Sequence, residues 1–214
     1  MRADGVTVEK PAQLLEPRAH VDYAPPHPYV SRGALKLVAA LDRFSLSPEA
    51  LICLDLGAST GGFTEVLLAR GASKVYAVDV GHGQLHPKLA DDKRVIRLEG
   101  ANARTLSWEQ IADAPDLITV DVSFISLKLA LPPALAMAKP GARLVALVKP
   151  QFEVGRVRVG KKGIVRSNAD RRKAIDDIAS WLVSEQKWIV EGTMDSPIEG
   201  GDGNREFLIV ASKP

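Results

Sequence analysis

The chain holds a single cysteine, Cys53, so it can form neither an internal disulfide nor a multi-cysteine metal cluster. Charge of one sign is not in excess either: 28 Lys and Arg stand against 26 Asp and Glu. Bulk attraction to a polyanion is thereby excluded, and any nucleic-acid site must come from local clustering of basic residues. Long apolar runs are also missing. The N-terminal MRADGVTVEKPAQ has no signal-like core, and LALPPALAMA is broken by Pro132 and Pro133 and is too short to span a bilayer. These absences predict a cytoplasmic protein with no membrane partner, and 214 residues suffice to bury a core without staples.

From Leu51 onward, short β-rich runs alternate with helix-like runs, the pattern of an α/β fold with a parallel sheet covered on both faces. Strands are predicted at LICLDL, KVYAVDV, VIRLEG, DLITVDV and RLVALVK, continuously apolar as strands buried on both faces should be. Helices are predicted at FTEVLLAR, LHPKLADD and LKLALPPALAMA, with a short turn near WEQIA. A later amphipathic helix, around DRRKAIDDIASWLVSEQ, precedes two last strands, WIVEGTM and REFLIVAS. The turn-rich DSPIEGGDGN between them predicts that the seventh strand of the sheet runs antiparallel to its neighbour. Upstream, SRGALKLVAALDRF reads as a helix capped by Ser31, with Leu37, Leu41 and Phe44 on one face. Residues 1–28 carry five prolines and no helical period, which reads as a flexible arm or a fragment of a larger unit.

LDLGASTGGF is a strand running into a glycine-rich turn and then a helix, and Gly57, Gly61 and Gly62 present no side chain to an approaching ligand. A nicotinamide fingerprint would place glycine where Ser59 stands. Asp55 just before the turn would repel a pyrophosphate but attract a sulfonium and an amino group. Asp79, ending the second strand, is placed to accept hydrogen bonds from a ribose diol. Asn102, just past the third strand, suits either an adenine edge or a turn.

Ligands of such sheets bind beyond the carboxyl ends of the parallel strands. Asp121 and Lys149 end the fourth and fifth strands there, and Pro150 stops the ladder. The antiparallel last strand starts at that edge with Glu206, and the helix preceding the first strand begins there with Lys36. Chain position alone leaves these residues equally readable as ordinary surface ion pairs.

The segments YVSRGALKL, LDLGASTGGFTEVLL, VYAVDVGHGQL, DVSFISL, LVALVKPQFE and GNREF resemble, in order, the TlyA family of FtsJ-like ribosomal RNA 2'-O-methyltransferases, some of which are labelled haemolysins. The resemblance covers roughly Tyr29 to Phe207. It implies a Rossmann-like class I methyltransferase domain over residues 29–214, with a mostly parallel seven-stranded sheet. It also implies a catalytic tetrad of Lys36, Asp121, Lys149 and Glu206, and S-adenosylmethionine as methyl donor. The donor would sit against Asp55, Gly57, Ser59, Thr60, Gly61, Gly62, Phe63, Asp79, Asn102 and Asp121. Ribosomal RNA or ribosomal subunits would be the partner. Family members usually begin with a small RNA-binding domain, of which GVTVEKPAQLLEPRAHVDY resembles only the tail. Ala34 stands where another glycine is usual, a change that favours the helix.

In this reading Lys149 is the base for a ribose hydroxyl, and Asp121 and Glu206 orient the two amines. DVSF lacks the Pro-Pro turn common in enzymes that methylate exocyclic amines, which favours a hydroxyl target; Phe124 reads as core packing. Arg156, Arg158, Lys161, Lys162 and Arg166, together with Arg32, are the candidate phosphate contacts. His82 and His86 are four apart, but no carboxylate intervenes and Pro87 follows, so they read as loop and helix-start residues and no metal is expected. Trp108, Trp181 and Trp188 read as packing. Two rival readings are a nicotinamide-dependent oxidoreductase, disfavoured by Ser59 and Asp55, and a non-catalytic RNA-binding or ribosome-assembly factor. Pore formation finds no membrane segment in the sequence.

Overall fold

A computed structural model describes residues 2–8, 13–22, 27–201 and 203–214. Near the N-terminus, β1 (Arg2–Ala3), β2 (Val6–Thr7) and β3 (Val21–Asp22) form a small antiparallel sheet in the order β2-β1-β3. Asp4 and Gly5 adopt φ 49° and 79°, the left-handed pair of a tight hairpin, and Asp-Gly is the dipeptide that adopts it most readily. Residues 9–12 and 23, part of the stretch that resembles an RNA-binding domain, lie outside the described residues.

The remaining strands are β4 (Ile52–Leu56), β5 (Lys74–Asp79), β6 (Val95–Glu99), β7 (Leu117–Val120), β8 (Arg143–Val148), β9 (Ile189–Asp195) and β10 (Phe207–Ser212). They make one sheet in the order β6-β5-β4-β7-β8-β10-β9, in which only β10 runs against its neighbours. The predicted mostly parallel, seven-stranded α/β architecture with an antiparallel last strand is therefore what forms.

Side chains alternate across this sheet with the period of two that a pleated strand imposes. On one face Leu54, Leu56, Ile118, Val120, Leu144 and Ala146 pack against α4 (Leu127–Ala130), α5 (Pro132–Met137) and α7 (Asn168–Ser184). Cys53, Val75, Val145, Leu147 and Leu208 face the other way, onto α1 (Ala34–Arg43) and α2 (Gly62–Ala69). Each such fully buried aliphatic side chain contributes about 1.5–3 kcal/mol. In α7, Ala174, Ile175, Ile178, Trp181 and Leu182 are buried at helical spacing, and the Ser167 hydroxyl caps its N-terminus by accepting from the Asp170 N–H.

Several local expectations give way to backbone chemistry. Ser31 does not cap α1: its hydroxyl accepts from Gly33 N at 3.0 Å, closing a turn before the helix begins at Ala34. The run LKLALPPALAMA is two helices, because Pro132 and Pro133 lack the N–H groups needed to continue α4. The LHPKLADD helix shrinks to α3 (Pro87–Ala90), capped by the His86 ring, whose Nδ1 accepts from Lys88 N. Trp181 and Trp188 are buried, whereas Trp108 is 54% exposed and is not a packing residue.

Gly61, entering α2, is a position where glycine is required. Its φ is 97°, and a Cβ there would lie 2.2 Å from the buried Leu89 side chain. Gly61→Ala is expected to lower stability by roughly 1–3 kcal/mol. A denaturant midpoint unchanged from wild type would show that the turn tolerates a side chain.

Candidate active site

The rim formed by the strand ends carries the polar groups. Asp121 follows β7 directly, and its N–H is held by Leu56 O at 2.9 Å. Lys149 follows β8 and leads into α6 (Pro150–Glu153). The β10 register pairs Phe207 with Val148, so Glu206, one step earlier on an antiparallel strand, lies at the same edge as Lys149. Lys36 sits in the first turn of α1.

These four residues form two ion pairs. Lys36 Nζ lies 2.6 Å from Glu206 Oε2, with side chains only 8% and 3% exposed. Lys149 Nζ lies 2.6 Å from Asp121 Oδ1, with side chains 9% and 23% exposed. Its second partner is the Ser123 hydroxyl at 2.8 Å. The pairs are neighbours through Gly33, whose Cβ position would lie 3.7 Å from Asp121 Oδ2. Ordinary surface ion pairs are thereby ruled out, since a buried pair costs desolvation that an exposed one does not.

The glycine turn is shaped by its surroundings as much as by room for a ligand. Gly57 has φ 80°, and a Cβ on it would come 2.6 Å from Asp121 O. Gly62 packs on Ser31, and Gly61 lines neither cavity of the rim. Gly57 and Ser59 face both cavities, while Thr60, Gly62 and Phe63 face a smaller recess. Asp79 takes N–H bonds from Ser59 to Oδ2 and from Gly81 to Oδ1, both at 2.8 Å. It lines the larger cleft with lone pairs to spare. Asn102 also lines that cleft, and its Oδ1 accepts from Arg104 N, the turn role of the two open at sequence level.

Asp55 departs from expectation. It has no exposed surface, and its two oxygens accept from Thr64 Oγ1 at 2.7 Å and Thr119 Oγ1 at 3.0 Å. An odd position on β4 turns it inward beneath the turn, and it lines neither cavity of the rim. Burial pushes its carboxyl up to about 7, outweighing the two hydroxyl hydrogen bonds, and the nearby Asp121 charge adds to the rise.

Phe124 is the second departure. It is 92% exposed and has φ 65°, a left-handed backbone that swings the ring out onto the lip of the cleft, 5.3 Å from the Phe152 ring. The loop bearing it is fastened by Glu153, which accepts from Ser126 Oγ at 2.6 Å and Leu127 N at 2.9 Å. Burial raises the Glu153 carboxyl above its usual range, with both hydrogen bonds opposing. Neither Ser123, Ser126 nor Glu153 carries a local sequence signal, because each partner lies more than twenty residues away.

Of the basic candidates, Arg158 is engaged by Asp170 at 3.0 Å and Arg32 reaches Glu199 O at 3.3 Å. Arg156, Lys162 and Arg166 are exposed. The Lys161 side chain lies outside what is described.

The larger cleft has a volume of 810 Å³ and runs from Gly57 and Asp79 past Asn102 to Asp121, Phe124 and Phe152. The sequence profile of FtsJ-like methyltransferases matches residues 29–213, taking in every element of this rim. The chain belongs to that family. Among curated relatives, this FtsJ-like methyltransferase is 44% identical to a Mycobacterium tuberculosis protein named 16S/23S rRNA (cytidine-2'-O)-methyltransferase TlyA, over 98% of the chain and 78% of the relative. It is 48% identical to Bacillus subtilis YqxC, named as an rRNA methyltransferase, over 85% of the chain; the match spans 64% of that relative's length. A solved Streptococcus thermophilus structure described as a hemolysin superposes with a TM-score of 0.85 at 46% identity, covering 89% of this chain and 69% of that one. The expected TlyA resemblance is thus met.

The FtsJ-like cleft fits a nucleoside: the Asp79 carboxylate at the end of β5 faces it, and Gly57 and Ser59 of the glycine turn form its wall. The inward Asp55 sets a pH dependence of stability. Its folded-state value, about 7 against an ordinary 3.8, means that its stabilisation is complete below the unfolded value and is lost as pH rises through the folded one. Asp55→Asn, which keeps size but cannot ionise, should therefore gain stability relative to wild type between pH 5 and pH 8. Parallel denaturation midpoints across that range would contradict the assignment.

Proposed function

We propose that this FtsJ-like methyltransferase moves a methyl group from S-adenosylmethionine to a ribose 2'-hydroxyl of ribosomal RNA in the cytoplasm. The observation that carries this reading is the buried Lys149–Asp121 pair, held at the rim where the cofactor cleft meets the recess. The names of the Mycobacterium tuberculosis relative and of a Campylobacter jejuni relative, 38% identical over 84% of the chain, support the same hydroxyl target.

When bound, the cofactor would supply an electrophilic methyl on a sulfonium, which would leave as a neutral thioether once the methyl is transferred. Asp79 would hold its ribose, and the Gly57–Ser59 turn, Asn102 and Asp121, which line the cleft, would flank the nucleoside. A ribose hydroxyl is a weak nucleophile until its proton leaves. Lys149, in its unprotonated form, takes that proton at Nζ, and Asp121 beside it balances the charge gained. Lys36 and Glu206, paired behind the turn that carries Gly33, would brace the wall along which the hydroxyl approaches. Asp55 supports the turn from below instead of touching the cofactor. The Phe124 ring offers a face on which a base beside the target ribose can stack. Arg156, Lys162 and Arg166 grip phosphates.

Incubating the protein and labelled S-adenosylmethionine with ribosomal subunits, then mapping 2'-O-methyl groups, should find modified riboses. Lys149→Ala should keep its fold and cofactor affinity while losing at least a hundredfold in rate. Normal turnover in that variant would remove Lys149 as base, and an inert wild type would leave an assembly factor. Replacing Arg156, Lys162 and Arg166 together with Gln should weaken RNA binding and flatten its salt dependence without altering cofactor affinity. Equal RNA affinity would place the RNA elsewhere.

A further inference from the structure

A lysine amine has three positions around its nitrogen besides its own carbon, and rotation about the terminal bond exchanges them freely unless partners hold it. At Lys149 two are held: Asp121 Oδ1 at 2.6 Å and Ser123 Oγ at 2.8 Å. Lys149, Asp121 and Ser123 together line a 190 Å³ recess, and Asp121 and Ser123 also line the 810 Å³ cofactor cleft beside it. The Lys149 side chain, 9% exposed, reaches that recess as one of its lining residues.

We propose that Ser123 is a positioning residue that turns Lys149 into a base with a single direction. The inference rests on the reading of Lys149 as the proton acceptor. In the unprotonated amine, two N–H bonds point at Asp121 and Ser123, and the lone pair takes the remaining position, toward the recess where the hydroxyl enters. Asp121 alone would fix one N–H and leave the lone pair to rotate between two directions. The Ser123 hydroxyl removes that freedom and accepts equally well after the proton has arrived, so it costs no rearrangement during the step.

The loop is built to keep that hydroxyl in place. Asp121 N is bound to Leu56 O at 2.9 Å on one side of Ser123. On the other side the Phe124–Phe152 ring contact and the grip of Glu153 on Ser126 and Leu127 fasten the chain to α6, the segment that begins immediately after Lys149. Ser123 and Lys149 thus ride on two strand-end segments clamped to each other. Ser123 is itself exposed, so replacing it empties no core.

The test is steady-state 2'-O-methylation of ribosomal subunits by wild type, Ser123→Ala and Ser123→Thr, with S-adenosylmethionine affinity measured in parallel. Ser123→Ala should lower kcat by about ten- to a hundredfold with KM for the RNA and cofactor affinity unchanged. Ser123→Thr, which restores a hydroxyl, should recover most of the rate. A kcat within twofold of wild type in Ser123→Ala overturns the proposal. So does a loss that falls on KM and is not recovered by threonine, since Ser123 would then be shaping the RNA surface. Wild type that leaves every ribose unmethylated sinks the reading of Lys149 along with this inference, whereas wild-type turnover beside an unaffected Ser123→Ala sinks this inference alone.

Discussion

Two lysine side chains buried at one rim, each against a carboxylate, are the constraint around which the rest of this molecule is arranged. Withdrawing such an ion from water costs several kcal/mol, and a pair recovers this only when its partners are held in good geometry. Apolar residues of similar volume would stabilise the fold at least as well. The Lys36–Glu206 and Lys149–Asp121 pairs, each 2.6 Å apart, therefore stand where stability alone would not require them, which is what the proposed chemistry at the rim accounts for. The surrounding backbone is organised to hold them: strand ends supply Asp121 and Lys149, and an antiparallel strand and a helix start supply the other two.

Topology makes this economical. If β10 ran parallel, Glu206 would lie at the far edge of the sheet, about 20 Å from Lys149 for a six-residue strand. The single antiparallel strand returns the chain to the rim, and Lys36 enters from α1 packed on the same face as α2. Gly57 lets the turn after β4 press against the Asp121 carbonyl, so the glycine turn and the Lys149–Asp121 pair share one backbone contact.

Much of this was legible in the residues. Continuous apolar runs marked the strands, and strand ends put four distant charged residues at one edge before any side chain was placed. What escaped was direction and long-range pairing. Asp55 precedes a glycine turn like a ligand, yet the period of two sends it inward, where its register partner Thr119 and Thr64 of α2 wait for it. Phe124 read as core because aromatics are more often buried, and nothing local announces a left-handed backbone at a phenylalanine. The pairing of Glu153 with Ser126 and of Ser123 with Lys149 bridges segments that only the sheet brings together. The Asp-Gly hairpin at the N-terminus was readable but was outweighed by the prolines around it.

The inward acid and the rim acid are best understood together. Asp55 and Asp121 lie on adjacent strands, and the charge of Asp121 is one reason the Asp55 carboxyl is pushed up to about 7. When Asp55 is protonated, its hydroxyl partners still join β4, β7 and α2 beneath the glycine turn, but it adds no negative charge below the rim. Asp121 is then the carboxylate that balances the Lys149 amine. Burying one acid thus gives the glycine turn polar ties to Thr64 and Thr119 from below, while raising that carboxyl to about 7 keeps its full charge away from the rim until the pH passes that value.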